Sequence, residues 1–318
     1  MFESIIPKLA VARESRSVIL PDGSRAPFSA TRFSSVAAGE GVRACFIDGG
    51  NAPVFESPEA RVEYVRLAAV AYEGRERAAT HQEEGLLLIR YEGGAVVATG
   101  EEGFSLSVKA GVDDEELRLG REKVTLAAVA GLARFLLECS LVKRLASERS
   151  FQLVVRDGSL VGANRHEEEA LARMRGSWLL AGLSKTSSLL TEQGVSASAE
   201  LLARSPRDCW YALLGSVNGV VVGVARLQPG CERAFRLDVL GGEEEALRAA
   251  RALALLSGDA AFPGYPYPLV EAHRLARVSA REAGRLRTRL VMEAGERWPV
   301  LQRLERGSDA HRILDRLS

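Results

Sequence analysis

Two apolar runs, each closed by an aspartate and then a glycine, constrain this chain more than any other feature. Val42-Arg43-Ala44-Cys45-Phe46-Ile47 runs into Asp48-Gly49-Gly50, and Phe151-Gln152-Leu153-Val154-Val155 runs into Arg156-Asp157-Gly158-Ser159-Leu160. Short, nearly continuous apolar runs that stop at glycine read as buried β-strands followed by sharp turns. Each strand would deliver a carboxylate to the margin of an apolar core, where a charge is costly unless something compensates it. Either motif alone is an ordinary Asp-Gly turn; the pair of them calls for more.

The chain has 318 residues, of which 47% are apolar and 26% charged, an ordinary globular composition able to bury a large core. Lys plus Arg and Asp plus Glu both number 42, so no global basic excess advertises a polyanionic partner. Local field matters more than net charge, and a basic channel beside acidic faces stays open. Cys45, Cys139, Cys209 and Cys231 are widely spaced with no Cys-x-x-Cys, which argues against a zinc ribbon and predicts free thiols in a reducing compartment. The start, Met1-Phe2-Glu3-Ser4, opens no apolar leader. The apolar stretch around 126–142 is broken by Arg134 and Glu138, which argues against a membrane span. A cytoplasmic location is expected.

Along the chain, residues 1–40 read as a peripheral helix and a loop at Pro21-Asp22-Gly23. After the strand ending at Asp48, Val62–Tyr72 and Gly85–Tyr91 read as strands, and Gly93-Gly94 predicts a hairpin into Ala95–Thr99. Asp113 to Arg149 reads as one long helix with an acidic start. A strand follows to Asp157, then a helix over 166–174 and a strand over 177–183. Strands are expected within 211–227 and 233–239, and helices over 243–257 and 267–295, the last bent near Pro268. No internal repeat or low-complexity tract interrupts this order, so one mixed α/β domain with insertions is the economical reading.

Carboxylates from two strands can share a divalent cation, an arrangement that supports phosphodiester hydrolysis. Glu138, inside the broad apolar arc of the long helix, needs a partner, and a metal would serve; Glu148, at the end of the same stretch, is the weaker alternative. Lys185, in Leu183-Ser184-Lys185-Thr186-Ser187, could hold a phosphate or neutralise transition-state charge. In Gly264-Tyr265-Pro266-Tyr267-Pro268-Leu269-Val270-Glu271-Ala272-His273, two Tyr-Pro pairs stiffen the chain before a helix that Pro268 can start. His273 then sits early in that helix, able to ligate a metal or carry a proton. Arg274, Arg277, Arg281 and Arg285 fall roughly along one helical face, as a nucleic-acid backbone track or as a solvated, ion-paired surface.

In this order these motifs resemble the NurA nuclease family, over roughly residues 40–280. The Arg-Asp-Gly-Ser-Leu and Gly-Tyr-Pro…Ala-His pieces are the most specific; Asp-Gly-Gly departs from the Asp-Gly-Ser more usual there. The resemblance implies an RNase H-like mixed sheet flanked by helices, with helical and β insertions, forming one nuclease domain over 1–318. It implies a manganese-dependent DNA nuclease (magnesium being possible), acting 5′ to 3′ on ends and cutting single strands in DNA-end resection. It implies a homodimer and a HerA-type hexameric ATPase partner. By position, Asp48, Asp157 and His273 match the family's motif residues and Glu138 matches less closely; the accompanying tyrosine is Tyr265 or Tyr267, with Tyr267 preferred. The expected chemistry is two-metal hydrolysis, Asp48 bridging both ions, Asp157 and Glu138 each completing a site, and His273 assisting. Two alternatives remain: a non-catalytic clamp serving a DNA translocase, and a nucleotide-binding ATPase of the actin and sugar-kinase type, against which the lack of a paired phosphate-loop pattern counts.

Overall fold

The computed structural model describes residues 2, 15–149, 151–260 and 262–306. Eleven strands form one mixed sheet. Its centre is β9 (Leu153–Asp157), flanked in parallel by β4 (Arg43–Glu56) and β10 (Leu179–Ser184). On one side β4 continues through an antiparallel meander of β5 (Ala60–Glu73), β6 (Glu76–Glu92), β7 (Ala95–Glu101) and β8 (Ser107–Gly111). On the other side β10 pairs with β13 (Phe235–Leu240), which leads outward through β12 (Val220–Arg226) and β11 (Trp210–Val217) to β3 (Phe33–Ser35). A separate ribbon, β1 (Ser17–Ile19) and β2 (Arg25–Pro27), turns at the expected Pro21-Asp22-Gly23.

Strand alternation divides the core into two layers. Cys45, Ile47, Val154 and Leu180 pack against α1 (Leu126–Arg149), with its Leu132, Phe135, Cys139 and Val142. Ala44, Phe46, Leu153, Val155, Ala181 and Leu183 pack on the opposite face. That face is covered by α4 (Glu243–Leu255) and α5 (Tyr267–Ala276). Two short helices, α2 (Arg165–Ala172) and α3 (Ala197–Arg204), cover the margins, and α6 (Ala280–Ala294) and α7 (Trp298–Arg306) close the described chain. Among the described residues no helix is long and apolar enough to cross a membrane.

The Gly93-Gly94 hairpin forms as expected, both glycines at positive φ. Three expectations need correction. The strand carrying Asp48 does not stop there: β4 pairs with β5 through Gly49, Gly50 and on to Glu56. The two glycines serve close approach rather than turning. A Cβ on Gly49 would lie 2.4 Å from Glu138 Oε1, and one on Gly50 would lie 2.3 Å from the Ala276 carbonyl oxygen at the end of α5. Second, the acidic run 113–116 precedes α1 instead of starting it, in turns held by Asp114 through its bonds to Glu116 N–H and His166. Third, the helix expected over 267–295 is two helices, because the chain is extended at Arg277 and Ser279 caps α6 by accepting the Glu282 N–H. Arg274 and Arg277 therefore belong to the end of α5 and Arg281 and Arg285 to α6, not to one continuous face. The helix expected at the start of residues 1–40 falls mainly on 3–14, outside the described residues; residues 17–35 carry three short strands.

Gly50→Ala is expected to destabilise the protein by roughly 1–3 kcal/mol, the usual range for forcing a methyl into a filled space. Chemical denaturation measures this; wild-type stability would mean that α5 does not pack on β4 as described.

Candidate metal centre

The site lies where β9 ends and where α5 crosses β4. Asp157 is the last residue of β9, and Gly158 turns the chain at φ 117°, as its sequence predicts. Asp48 shares strand parity with Ala44 and Phe46, so it points to the α5 side. Pro268 sits in the first turn of α5, and the helix carries His273 to Asp48. His273 Nδ1 lies 2.7 Å from Asp48 Oδ2. One ligand atom each from Asp48, Asp157 and His273 lie within 4.8 Å of one another. Two carboxylates and an imidazole at that spacing suit a divalent cation.

Two neighbours brace Asp157. Lys185, just beyond β10, places Nζ 2.5 Å from Asp157 Oδ2. The buried Tyr265 hydroxyl donates to Asp157 Oδ1 at 3.1 Å, and the ammonium of Lys185 lies 5.7 Å from the Tyr265 ring centre. Burial and the adjacent Asp157 carboxylate push the Tyr265 phenol up, so it stays a donor. The sequence preference for Tyr267 is corrected by this geometry: Tyr267 lines a different cavity, with Tyr72, Arg75 and Pro268, and is 37% exposed. The Tyr-Pro pairs alone did not decide which ring turns inward, because that depends on where α5 starts.

Glu138 is buried, but its environment differs from the one expected. Alternation places Gly49 and Arg156 on the α1 face, opposite Asp48 and Asp157, and Glu138 reaches that face through the space left by Gly49. Its Oε2 accepts from Arg156 Nη2 at 2.9 Å, and its Oε1 pairs with Arg134. It stands outside the Asp48, Asp157 and His273 group, neutralised by two arginines. Glu148 is exposed and farther along α1.

A cleft of about 810 Å³ opens over these groups, and Asp48, Asp157, Lys185, His273 and the arginines Arg134, Arg156 and Arg236 line it. Sequence reading passed over Arg156, Arg236 and Asp238. Their signal was present: Arg236 and Asp238 alternate with Phe235, Leu237 and Val239, so one face of a central strand is charged.

Burial raises the Asp48 pKa above its ordinary 3.8, as do the nearby Asp157 and Glu138 carboxylates, while His273 opposes the rise. The folded chain therefore holds a proton on Asp48 more readily than the unfolded chain does. The ionised form costs stability at neutral pH, and the cost fades as pH falls through the raised value. Asp48→Asn is expected to raise the melting temperature at pH 7 in EDTA, by a margin that shrinks toward pH 4. Differential scanning calorimetry tests this, and a lower melting temperature than wild type contradicts the assignment.

An α/β protein with a helix-covered, RNase H-like mixed sheet is the class these features define. Its fold is NurA-like: the NurA nuclease from Sulfolobus solfataricus is similar at a TM-score of 0.52 and 15% identity, over 83% of this chain and 88% of that one. Another NurA structure is similar at 0.48 and 9% identity, covering 79% and 88% of the respective chains. Human ENDOV is similar at 0.40 and 13%, covering 77% and 84%. These two likenesses are too remote to add to the argument. No family model and no curated protein matches the chain.

Proposed function

We propose that this chain is a metal-dependent deoxyribonuclease, and the convergence of Asp48, Asp157 and His273 carries the reading. Two carboxylates and one imidazole suit manganese, and the carboxylates alone would take magnesium. A cation bound there lowers the pKa of an attacking water and draws charge from the phosphate. Lys185 neutralises charge developing on the phosphate, its Nζ already beside Asp157. His273 Nδ1, held at Asp48, either completes the ligand set or takes the proton of the water. Tyr265 fixes the orientation of Asp157 through its hydroxyl.

The finer reading follows the family resemblance: 5′ to 3′ digestion of DNA ends and cutting of single strands, in one nuclease domain that works as a cytoplasmic homodimer beside a HerA-type ATPase during end resection. In a two-metal scheme Glu138 would serve the second ion, which requires one of its arginines to give way. That pairing is what favours the second reading, a non-catalytic clamp on DNA.

Labelled DNA incubated with Mn²⁺ separates the two. Wild type is expected to cut and to stop in EDTA, while Asp48→Ala and Asp157→Ala remain folded and cut at least a thousandfold more slowly, about the scale of losing a central transition-state interaction. Cleavage at the wild-type rate by either variant ends the assignment.

Tyr265→Phe is expected to weaken Mn²⁺ binding by about 10–100-fold, the usual effect of losing a partner that orients a ligand. Tyr267→Phe should leave it unchanged. Calorimetric titration reads both, and equal effects would remove the distinction drawn between the two rings.

A further inference from the structure

Arg236 on β13 is a buried cation with more donors than partners. Its side chain is 6% exposed. Nε donates to Asp238 Oδ1 at 2.8 Å, while Nη2 is fully buried and bonds to nothing among the described residues. Asp238, itself fully buried, is committed elsewhere too: its Oδ2 accepts from the Ser159 hydroxyl at 2.8 Å and from the Leu160 N–H at 3.0 Å. One carboxylate thus ties Arg236 to the loop that follows Asp157. A buried guanidinium with unmet donors is unfavourable on its own, and an arriving anion offsets the deficit.

The position says which anion. Arg236 lines the same cleft as Asp48, Asp157 and Lys185. Ser184 stands opposite it across the β10–β13 pair and lines the cleft as well. By strand parity Arg236 and Ser184 face the α1 layer, whereas Asp48 and Asp157 face the α5 layer. The planar fork of arginine matches phosphate oxygens better than a point charge does.

We propose that Arg236, with Ser184 beside it and Asp238 behind it, is a phosphate-binding subsite for the DNA strand. It holds a phosphate other than the one being cut and sets the register of the strand in the cleft. The proposal rests on the nuclease reading above for the identity of the polyanion.

The test is fluorescence anisotropy of a single-stranded oligonucleotide binding to the full-length chain in EDTA, over a range of salt. Removing one phosphate-binding cation lowers the slope of log affinity against log salt by about 0.7 for a single strand. Arg236→Gln is expected to show that drop and about tenfold weaker binding, with KM raised more than kcat falls when Mn²⁺ is added. If Arg236→Gln does not fold because Asp238 is left as an unpaired buried charge, the double variant Arg236→Gln/Asp238→Asn removes that charge and is read the same way. A wild-type slope in the folded variant, or no binding by wild type, overturns the subsite. Binding with the expected slope change but no Mn²⁺-dependent cleavage overturns the nuclease reading and leaves the subsite standing.

Discussion

Two carboxylates held close together, Asp48 and Asp157, are the constraint around which the rest of this structure is arranged. Like charges at coordination distance repel, and burial sharpens the repulsion because less water screens it. The fold sets one positive group and two hydrogen-bonding groups against that repulsion. Lys185 and Tyr265 engage Asp157, and His273 engages Asp48. Lys185 follows β10, while Tyr265 comes just before α5 and His273 from the helix itself, so the site forms only after β4, β9, β10 and α5 have met. The compensation is incomplete, since the Asp48 pKa stays raised. A site that remains strained toward protonation is one that a cation relieves.

The sheet itself sorts the chemistry. Strand alternation puts Asp48 and Asp157 with the α5 layer, and Arg156, Arg236, Asp238 and the approach of Glu138 with the α1 layer. Gly49 connects the two, because its missing side chain leaves the space that Glu138 Oε1 fills. Glu138 thereby adds to the field at Asp48 from across the strand while its own charge is neutralised by Arg134 and Arg156. Those arginines belong to the lining of the cleft, so the same ion pairs that stabilise a buried acid also form its basic wall.

Much of this was legible in the residues. The apolar runs before Asp48 and Asp157, the Gly93-Gly94 hairpin and the Pro268 helix start are local signals, and each follows from backbone preferences of a few neighbouring residues. What failed was decided at a distance. Gly49-Gly50 looks like a turn by local rule, yet α1 and α5 press against β4 there and require glycine for space. The acids at 113–116 fit a helix start, yet the helix begins only at Leu126, after turns from which Leu117 and Val124 already reach the same core. The choice between Tyr265 and Tyr267 turned on where the helix starts, since Tyr265 precedes the cap of α5 and Tyr267 opens the helix. The partners of Glu138, Arg134 four residues back and Arg156 on another strand, were not legible either, because they are a local and a remote group that only the folded sheet combines.

Net charge was the least informative quantity. A chain with equal numbers of acidic and basic residues gathers Arg134, Arg156, Lys185 and Arg236 around one cleft. Glu138, Asp157 and Asp238 partner all four from within or beside it. Such pairs are poor stabilisers, since taking both charges out of water offsets much of their attraction. Their concentration at one end of three strands is therefore better explained by what they hold in place than by what they add to folding. Arg236 makes the point most sharply, because Asp238 satisfies one of its nitrogens and fixes its direction while leaving Nη2 without a partner. An arginine kept for stability alone gains nothing from a buried nitrogen without a partner; this one is oriented by Asp238 at the wall of the cleft with a donor to spare.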